Sequence, residues 1–198
     1  LWLSSHMCPA FVAISEATRT DAINYLRISP ERIHVIYPGV AKEFYPRDQR
    51  EARKYIEGRF GIESPYVFYC GGLSPRKNVP SLISAFLQAA TSLGTPLCLV
   101  ITGRLDSYPE IGNLISQHAD RVVSIGYVEE SALPFLYSAA SLVAYPSSYE
   151  GFGMPIVEAQ ACGTPVLVSN VSSMPEVSGG ASILVEPASA ESIVHGIE

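Results

Sequence analysis

Between Ser148 and Val166 the chain sets two carboxylates, Glu150 and Glu158, eight residues apart around Gly151, Phe152, Gly153 and Pro155. An ionised carboxylate only accepts hydrogen bonds, so such a pair suits a hydroxyl-rich ligand, for example the vicinal diol of a ribose. Pro155 is tolerated in a first helical turn, where its missing N–H has no partner to lose, and it predicts a helix over 155–161. Gly151 and Gly153 let the backbone approach a ligand with no Cβ in the way. The unpaired N–H groups and the positive end of the helix dipole then face whatever lies above Gly153, which favours anionic or hydroxyl-bearing groups. Glu158 lies about one turn beyond Pro155 and can face the same cleft, while Glu150 sits on the loop before the helix.

A second constellation is Gly71-Gly72-Leu73-Ser74-Pro75-Arg76-Lys77-Asn78. Glycines at a strand end permit close approach, Lys77 supplies a mobile point charge and Arg76 a planar fork, a combination suited to clamping a diphosphate. Gly126-Tyr127-Val128 closes another apolar run, and Gly103-Arg104 closes the one before it as a simple turn. Tyr137 and Tyr149 read as partly buried packing residues with solvated hydroxyls.

These loops need elements to hold them. Apolar runs bounded by Gly, Pro or Ser at 66–70, 96–102, 122–126, 141–145, 165–169 and 182–185 predict buried strands. Helical patterns occupy 79–93, 108–118, 131–140, 155–161 and 191 onward, and Leu82, Ile83, Phe86 and Leu87 make one apolar face. Strands alternating with helices imply an α/β fold, a Rossmann-like doubly wound parallel sheet with ligands beyond the carboxyl ends of its strands. The first forty residues form a separate strand, helix and strand over 11–14, 16–26 and 33–37, with Ser15 as the helix N-cap. A charged amphipathic helix over 50–60 opens the second part.

Composition narrows the class. With 198 residues, 47% hydrophobic and 16% charged, the chain can bury a proper core. A net charge of −6 and scattered Lys and Arg argue against a nucleic-acid partner. No apolar run is long enough to span a bilayer, and Leu1-Trp2-Leu3 lacks the basic and long apolar regions of a signal peptide, so a cytoplasmic location is expected. Cys8, Cys70, Cys98 and Cys162 stand far apart and are expected to be buried free thiols. The histidines are equally scattered, so no metal site is expected.

Glu150 to Val166 resembles the signature of retaining GT-B glycosyltransferases of family 4: Glu-x7-Glu in a Glu-Gly-Phe-Gly-Met-Pro context, then Ala-Cys-Gly-Thr-Pro-Val. Ser15-Glu16-Ala17-Thr18-Arg19, Ile36-Tyr37-Pro38-Gly39-Val40, the Gly71 to Asn78 loop, Gly126-Tyr127-Val128 and Ser169 to Val177 fall in the family's order and spacing. The resemblance implies that residues 1–40 are the end of an N-terminal domain with its linker, and that 41–198 are a C-terminal nucleotide-sugar-binding domain. It implies transfer of a sugar, with retention, from a nucleoside diphosphate sugar such as GDP-mannose or a UDP-hexose to a glycan or lipid-linked acceptor in polysaccharide biosynthesis. No cofactor or metal is implied, and peripheral association with the inner membrane is compatible. Glu150, Lys77 and Arg76 would be catalytic; Gly72, Val128, Gly151, Phe152, Gly153 and Glu158 would bind the donor, with Val128 at the base and Glu158 at the ribose. Gly72 departs from the pattern, since many members carry arginine there, and Arg76 is the cation available to compensate. A non-catalytic nucleotide-sugar-binding module and a GT-B epimerase or phosphorylase are the rival readings.

Overall fold

In the computed structural model, which describes residues 7–198, β1 (Phe11–Ala13), α1 (Glu16–Leu26) and β2 (Ile33–Val35) come first. The two strands pair in parallel, Phe11 opposite Ile33, and close over a small core of Ala13, Ile28 and Ile33. Ser15 caps α1 by accepting from the Thr18 N–H. Leu1-Trp2-Leu3 and His6 lie outside the described residues.

The second part runs α2 (Gln49–Phe60), β3 (Tyr66–Tyr69), α3 (Val79–Leu93), β4 (Cys98–Thr102), α4 (Pro109–Gln117), β5 (Val122–Gly126) and α5 (Leu133–Ala139). It continues with β6 (Leu142–Tyr145), α6 (Met154–Ala161), β7 (Val166–Ser169), α7 (Met174–Ser178), β8 (Ile183–Val185) and α8 (Ala190–Ile197). Asp48 caps α2 by accepting from the Arg50 and Glu51 N–H groups. Six strands form one parallel sheet in the order β5-β4-β3-β6-β7-β8, the doubly wound arrangement. The helices pack as two sets of neighbours, α4 with α3 with α8 and α2 with α5 with α6 with α7. Strands β3, β4, β6 and β7 are buried throughout, which is why they read as continuous apolar runs.

The chain winds outward from β3 through β4 to β5, then returns to β6 on the other side of β3 and winds through β7 to β8. Val67 pairs with Leu99 on one side and with Leu142 on the other, so the direction of winding reverses between β3 and β6. The loops leaving those two strands therefore stand next to each other, and they are the Gly71 to Asn78 loop and the Pro146 to Gly153 loop.

Several expectations need correction. The helix expected from Pro155 starts at Met154, with Pro155 inside its first turn. Residues 130–132 form a 3-10 turn that leads into α5, and α7, only five residues long, had no periodicity to announce it. Cys98 and Cys162 are buried, but Cys70 is half-buried and Cys8 is exposed. Among the described residues no helix is long and apolar enough to cross a membrane, and His, Cys, Asp and Glu form no group of three able to hold a metal ion.

Candidate functional site

Lys77 ends a 3-10 turn, Pro75–Lys77, and is buried although it is a lysine. Its partner explains this: Nζ lies 2.6 Å from Glu150 Oε1. The same ammonium touches the Tyr145 hydroxyl and stands 4.6 Å from the centre of that ring. Arg76 Nη1 lies 2.8 Å from Glu150 Oε2 and also donates to the Tyr149 carbonyl at 3.0 Å. Two cations thus meet one carboxylate, leaving a net positive charge where β3 and β6 end. Burial pushes the Glu150 carboxyl up, yet Lys77, Arg76 and Ser147 outweigh it and hold the group below its ordinary 4.5.

The two loops are fastened together. Ser148 donates its N–H to the Arg76 carbonyl at 2.8 Å, and Asn78 Nδ2 reaches the carbonyls of Pro146 at 3.1 Å and Pro187 at 2.8 Å. Asn78 itself adopts φ 57°, a left-handed conformation that Asn tolerates, and turns the chain into α3.

The segment Glu150 to Gly153 hangs on serines. Ser173 Oγ, fully buried, donates within reach of the carbonyls of Glu150 at 2.9 Å and Phe152 at 2.8 Å, while Ser172 Oγ contacts the Glu150 carbonyl and accepts its N–H at 3.2 Å. Gly153 has φ 107°, and a Cβ there would lie 2.8 Å from Ile156 Cδ1, so any other residue would be strained. Phe152 is buried, 6.3 Å from the Tyr37 ring. The Gly151 carbonyl does not face open space: it accepts from Ser15 Oγ at 2.7 Å and Thr18 Oγ1 at 2.9 Å. Nearby, Glu176 accepts from the Glu16 and Ala17 N–H groups, at 2.7 and 3.2 Å, and from the Tyr37 hydroxyl, tying α7 to the start of α1.

Beside the charged cluster opens a cleft of about 450 Å³ at the ends of β3, β4 and β5. Gly72 and Val128, far apart in sequence, both line it, with Cys70, Thr102, Arg104 and Glu130 among the other walls. The Gly72 carbonyl accepts from the Tyr69 hydroxyl at 2.5 Å, and the Gly71 N–H donates to Thr102 Oγ1 at 3.2 Å, so the glycine loop is fixed to the strands below. Arg104, taken from sequence as a mere turn residue, is exposed at the rim with its guanidinium 5.8 Å from the Tyr127 ring.

Glu158 sits apart from the cations. It is half-buried, and Oε2 accepts from the Tyr137 hydroxyl at 2.8 Å. Burial raises its carboxyl, Tyr137 opposes the rise, and the charge of Glu130 adds to it; the balance lies above the ordinary 4.5. Tyr137 is fully buried, so the solvated hydroxyl expected of it is overturned, whereas Tyr149 is exposed and hydrogen-bonded to Asp21. Tyr137 read from sequence only as packing, Tyr145 not at all, and Ser172, Ser173 and Glu176 only as part of the Ser169 to Val177 run. An apolar helix hides the first and a strand the second; the Ser-Ser-Met-Pro-Glu run was a visible signal for the others.

Comparison with known proteins gives this geometry its setting. Residues 55–198 match the family model described as glycosyl transferases group 1. The O-antigen chain mannosyltransferase B of Escherichia coli is 32% identical over 92% of this chain and 49% of its own length. The MMP alpha-(1->4)-mannosyltransferase of Mycolicibacterium hassiacum is 31% identical over 93% of this chain and 43% of its own. The crystal structure of Anabaena HepE in complex with UDP and glucose superposes with a TM-score of 0.85 at 26% identity, covering 98% of this chain and 54% of HepE. The chain thus spans about half the length of these relatives, and the doubly wound sheet is that of the C-terminal half of a GT-B fold. On the family match, which covers well over half its residues, the chain belongs to the glycosyl transferases group 1 family.

Proposed function

We propose that this chain carries the donor half of a retaining glycosyltransferase that moves a hexosyl unit from a nucleoside diphosphate sugar to a hydroxyl of a glycan or lipid-linked acceptor. The observation that carries the reading is the Arg76, Lys77 and Glu150 cluster at the reversal between β3 and β6, beside the cleft lined by Gly72 and Val128. The mannosyltransferase relatives, and HepE structures holding UDP or UDP-glucose, support the donor class. On the same reading residues 1–40 end an N-terminal domain and 41–198 form the donor domain. The reaction takes place in the cytoplasm, with peripheral contact to a membrane where the acceptor is lipid-linked.

In the reaction the bond from the sugar C1 to the diphosphate oxygen breaks and the acceptor oxygen bonds C1 on the same face. The nucleoside diphosphate leaves with the electron pair, and the acceptor's proton passes to the departing phosphate. Lys77 and Arg76 stabilise the charge that grows on that phosphate, the largest electrostatic demand of the step. Glu150 holds both cations in place and orients the sugar with the backbone of Gly151, Phe152 and Gly153. With its two oxygens against Arg76 and Lys77, Glu150 is poorly placed to act as a free nucleophile, so the two-carboxylate scheme of glycoside hydrolysis does not transfer. Val128 meets the base and Glu158 the ribose diol.

Calorimetric titration with UDP, GDP and ADP tests the donor site. One nucleotide is expected to bind selectively, and Lys77→Ala is expected to abolish that binding. Glu158→Ala should weaken it by about 1.5 to 3 kcal/mol, the worth of hydrogen bonds to a charged acceptor. Failure of all three nucleotides to bind would overturn the reading. Transfer itself is read as nucleotide release that depends on acceptor sugar, and epimerised sugar as the sole product would sink it.

A further inference from the structure

Tyr137 belongs to α5, yet its hydroxyl ends on the carboxylate of α6. Its ring is wholly buried, edge-on to Phe68 at 5.4 Å between centroids and tilted against Phe44 at 6.0 Å. Its own carbonyl accepts from Thr164 Oγ1 at 2.7 Å, which fastens the end of α5 to the turn that follows α6. The phenol therefore has no freedom to follow a moving partner. Cys70, which lines the cleft, lies within hydrogen-bonding reach of the same hydroxyl. One buried O–H thus joins the end of β3, helix α5 and the Glu158 side chain.

A glutamate on a helix surface has three rotatable bonds, and a half-exposed one ordinarily samples several orientations. Here the phenol takes Oε2 of Glu158 and leaves Oε1 without a hydrogen-bond partner among the described residues. Of its lone pairs, those on Oε1 and the second on Oε2 remain available to donors from a ligand. A vicinal diol offers two such donors.

We propose that Tyr137 is a positioning residue for ribose recognition: its buried hydroxyl fixes the Glu158 carboxylate in the orientation that accepts from the 2′- and 3′-hydroxyls of a nucleoside diphosphate. The inference rests on the donor-site reading above. Tyr137 does not touch the ligand. It removes in advance the rotamer freedom that Glu158 would otherwise lose on binding.

The test compares UDP and GDP with their 2′-deoxy counterparts, by calorimetry, on the protein and on Tyr137→Phe. The unaltered protein is expected to prefer the ribonucleotide by about tenfold or more, as for a lost hydrogen bond to a charged group. Tyr137→Phe is expected to weaken ribonucleotide binding about five- to tenfold and to leave the 2′-deoxy form within about twofold, so that the preference largely disappears. A residue that merely supports the core would weaken both ligands alike and leave their ratio intact, which overturns the proposal. Tyr137→Met, which also fills the site without a hydroxyl, carries the same test should the phenylalanine variant not fold. A full ribose preference in Tyr137→Met overturns the proposal as well. If neither ribonucleotide binds the unaltered protein, the donor-site reading falls and this inference with it; if both variants alone keep the preference, only the inference falls.

Discussion

Glu150 and Glu158 share one short signature and end in opposite electrostatic surroundings. Glu150 is the more buried of the two, yet it keeps its charge easily because Lys77 and Arg76 lie within 2.8 Å of its oxygens. Glu158 is half-exposed, yet ionising it is harder than usual because burial opposes its charge, the single hydrogen bond from the neutral Tyr137 phenol offsets only part of that, and the charge of Glu130 adds to it. Burial opposes ionisation at both; the sign of the net effect is set by what stands opposite. A carboxylate locked to cations serves to hold those cations. One held by a single neutral donor keeps lone pairs for a ligand, which is the division of labour proposed here between phosphate and ribose.

Removing one carboxylate should therefore damage the fold and removing the other should not. Glu150→Ala strands the buried Lys77 ammonium with only the Tyr145 hydroxyl and ring as company, and is expected to lower stability by about 3 kcal/mol, in the range for a broken buried ion pair. Urea unfolding checks it, and an unchanged midpoint would mean that water already serves Lys77. Glu158→Gln, which keeps an acceptor for Tyr137, is expected to stay close to the original stability.

The pH dependence of stability separates them further. A carboxyl held below 4.5 in the fold stabilises it above that pH, and the contribution is lost as the pH falls through the folded-state value. The margin of the unaltered protein over Glu150→Gln should accordingly shrink below pH 4.5. Glu158 works in reverse: its folded-state value is raised, so the fold gains a penalty as the pH climbs from 4.5 through that value. Glu158→Gln should gain on the unaltered protein over that climb. Parallel curves for the two variants would erase the contrast.

Much of this arrangement was legible along the chain, and what escaped has a common cause. Buried parallel strands announce themselves as apolar runs, and α3 could be placed over 79–93 because Val79 to Leu93 keeps a strong helical face between a proline and Gly94. The charged loops were visible as loops. That Lys77 would meet Glu150, 73 positions further on, follows only from the sheet order that sets β6 beside β3. Tyr137 and Glu158 are 21 positions apart on two helices, and a tyrosine within an apolar helix reads as packing until its hydroxyl is seen to end on a carboxylate. The serines that hold Glu150 to Gly153 belong to a turn in which Ser172 takes φ 58°, outside any periodic pattern.

The smallest expected effect concerns the cation that the cluster lacks. Gly72 lines the cleft, yet it is exposed, its φ lies outside the left-handed region, and a Cβ built on it meets no atom within 4 Å. A side chain is therefore sterically free there, and the glycine is no requirement of the backbone. Gly72→Arg would add a third cation to Arg76 and Lys77 beside the single carboxylate of Glu150. Because the added guanidinium is solvated, the gain in nucleoside diphosphate affinity is expected to be about 0.5 to 1 kcal/mol, falling as salt is raised. The same change should leave the preference of ribose over 2′-deoxyribose where it was, since that preference is assigned to Glu158 and Tyr137. A tighter complex with an altered ribose preference would show that the phosphate and ribose ends of the cleft are coupled; a weaker complex would show that the backbone of Gly72 itself must approach the diphosphate.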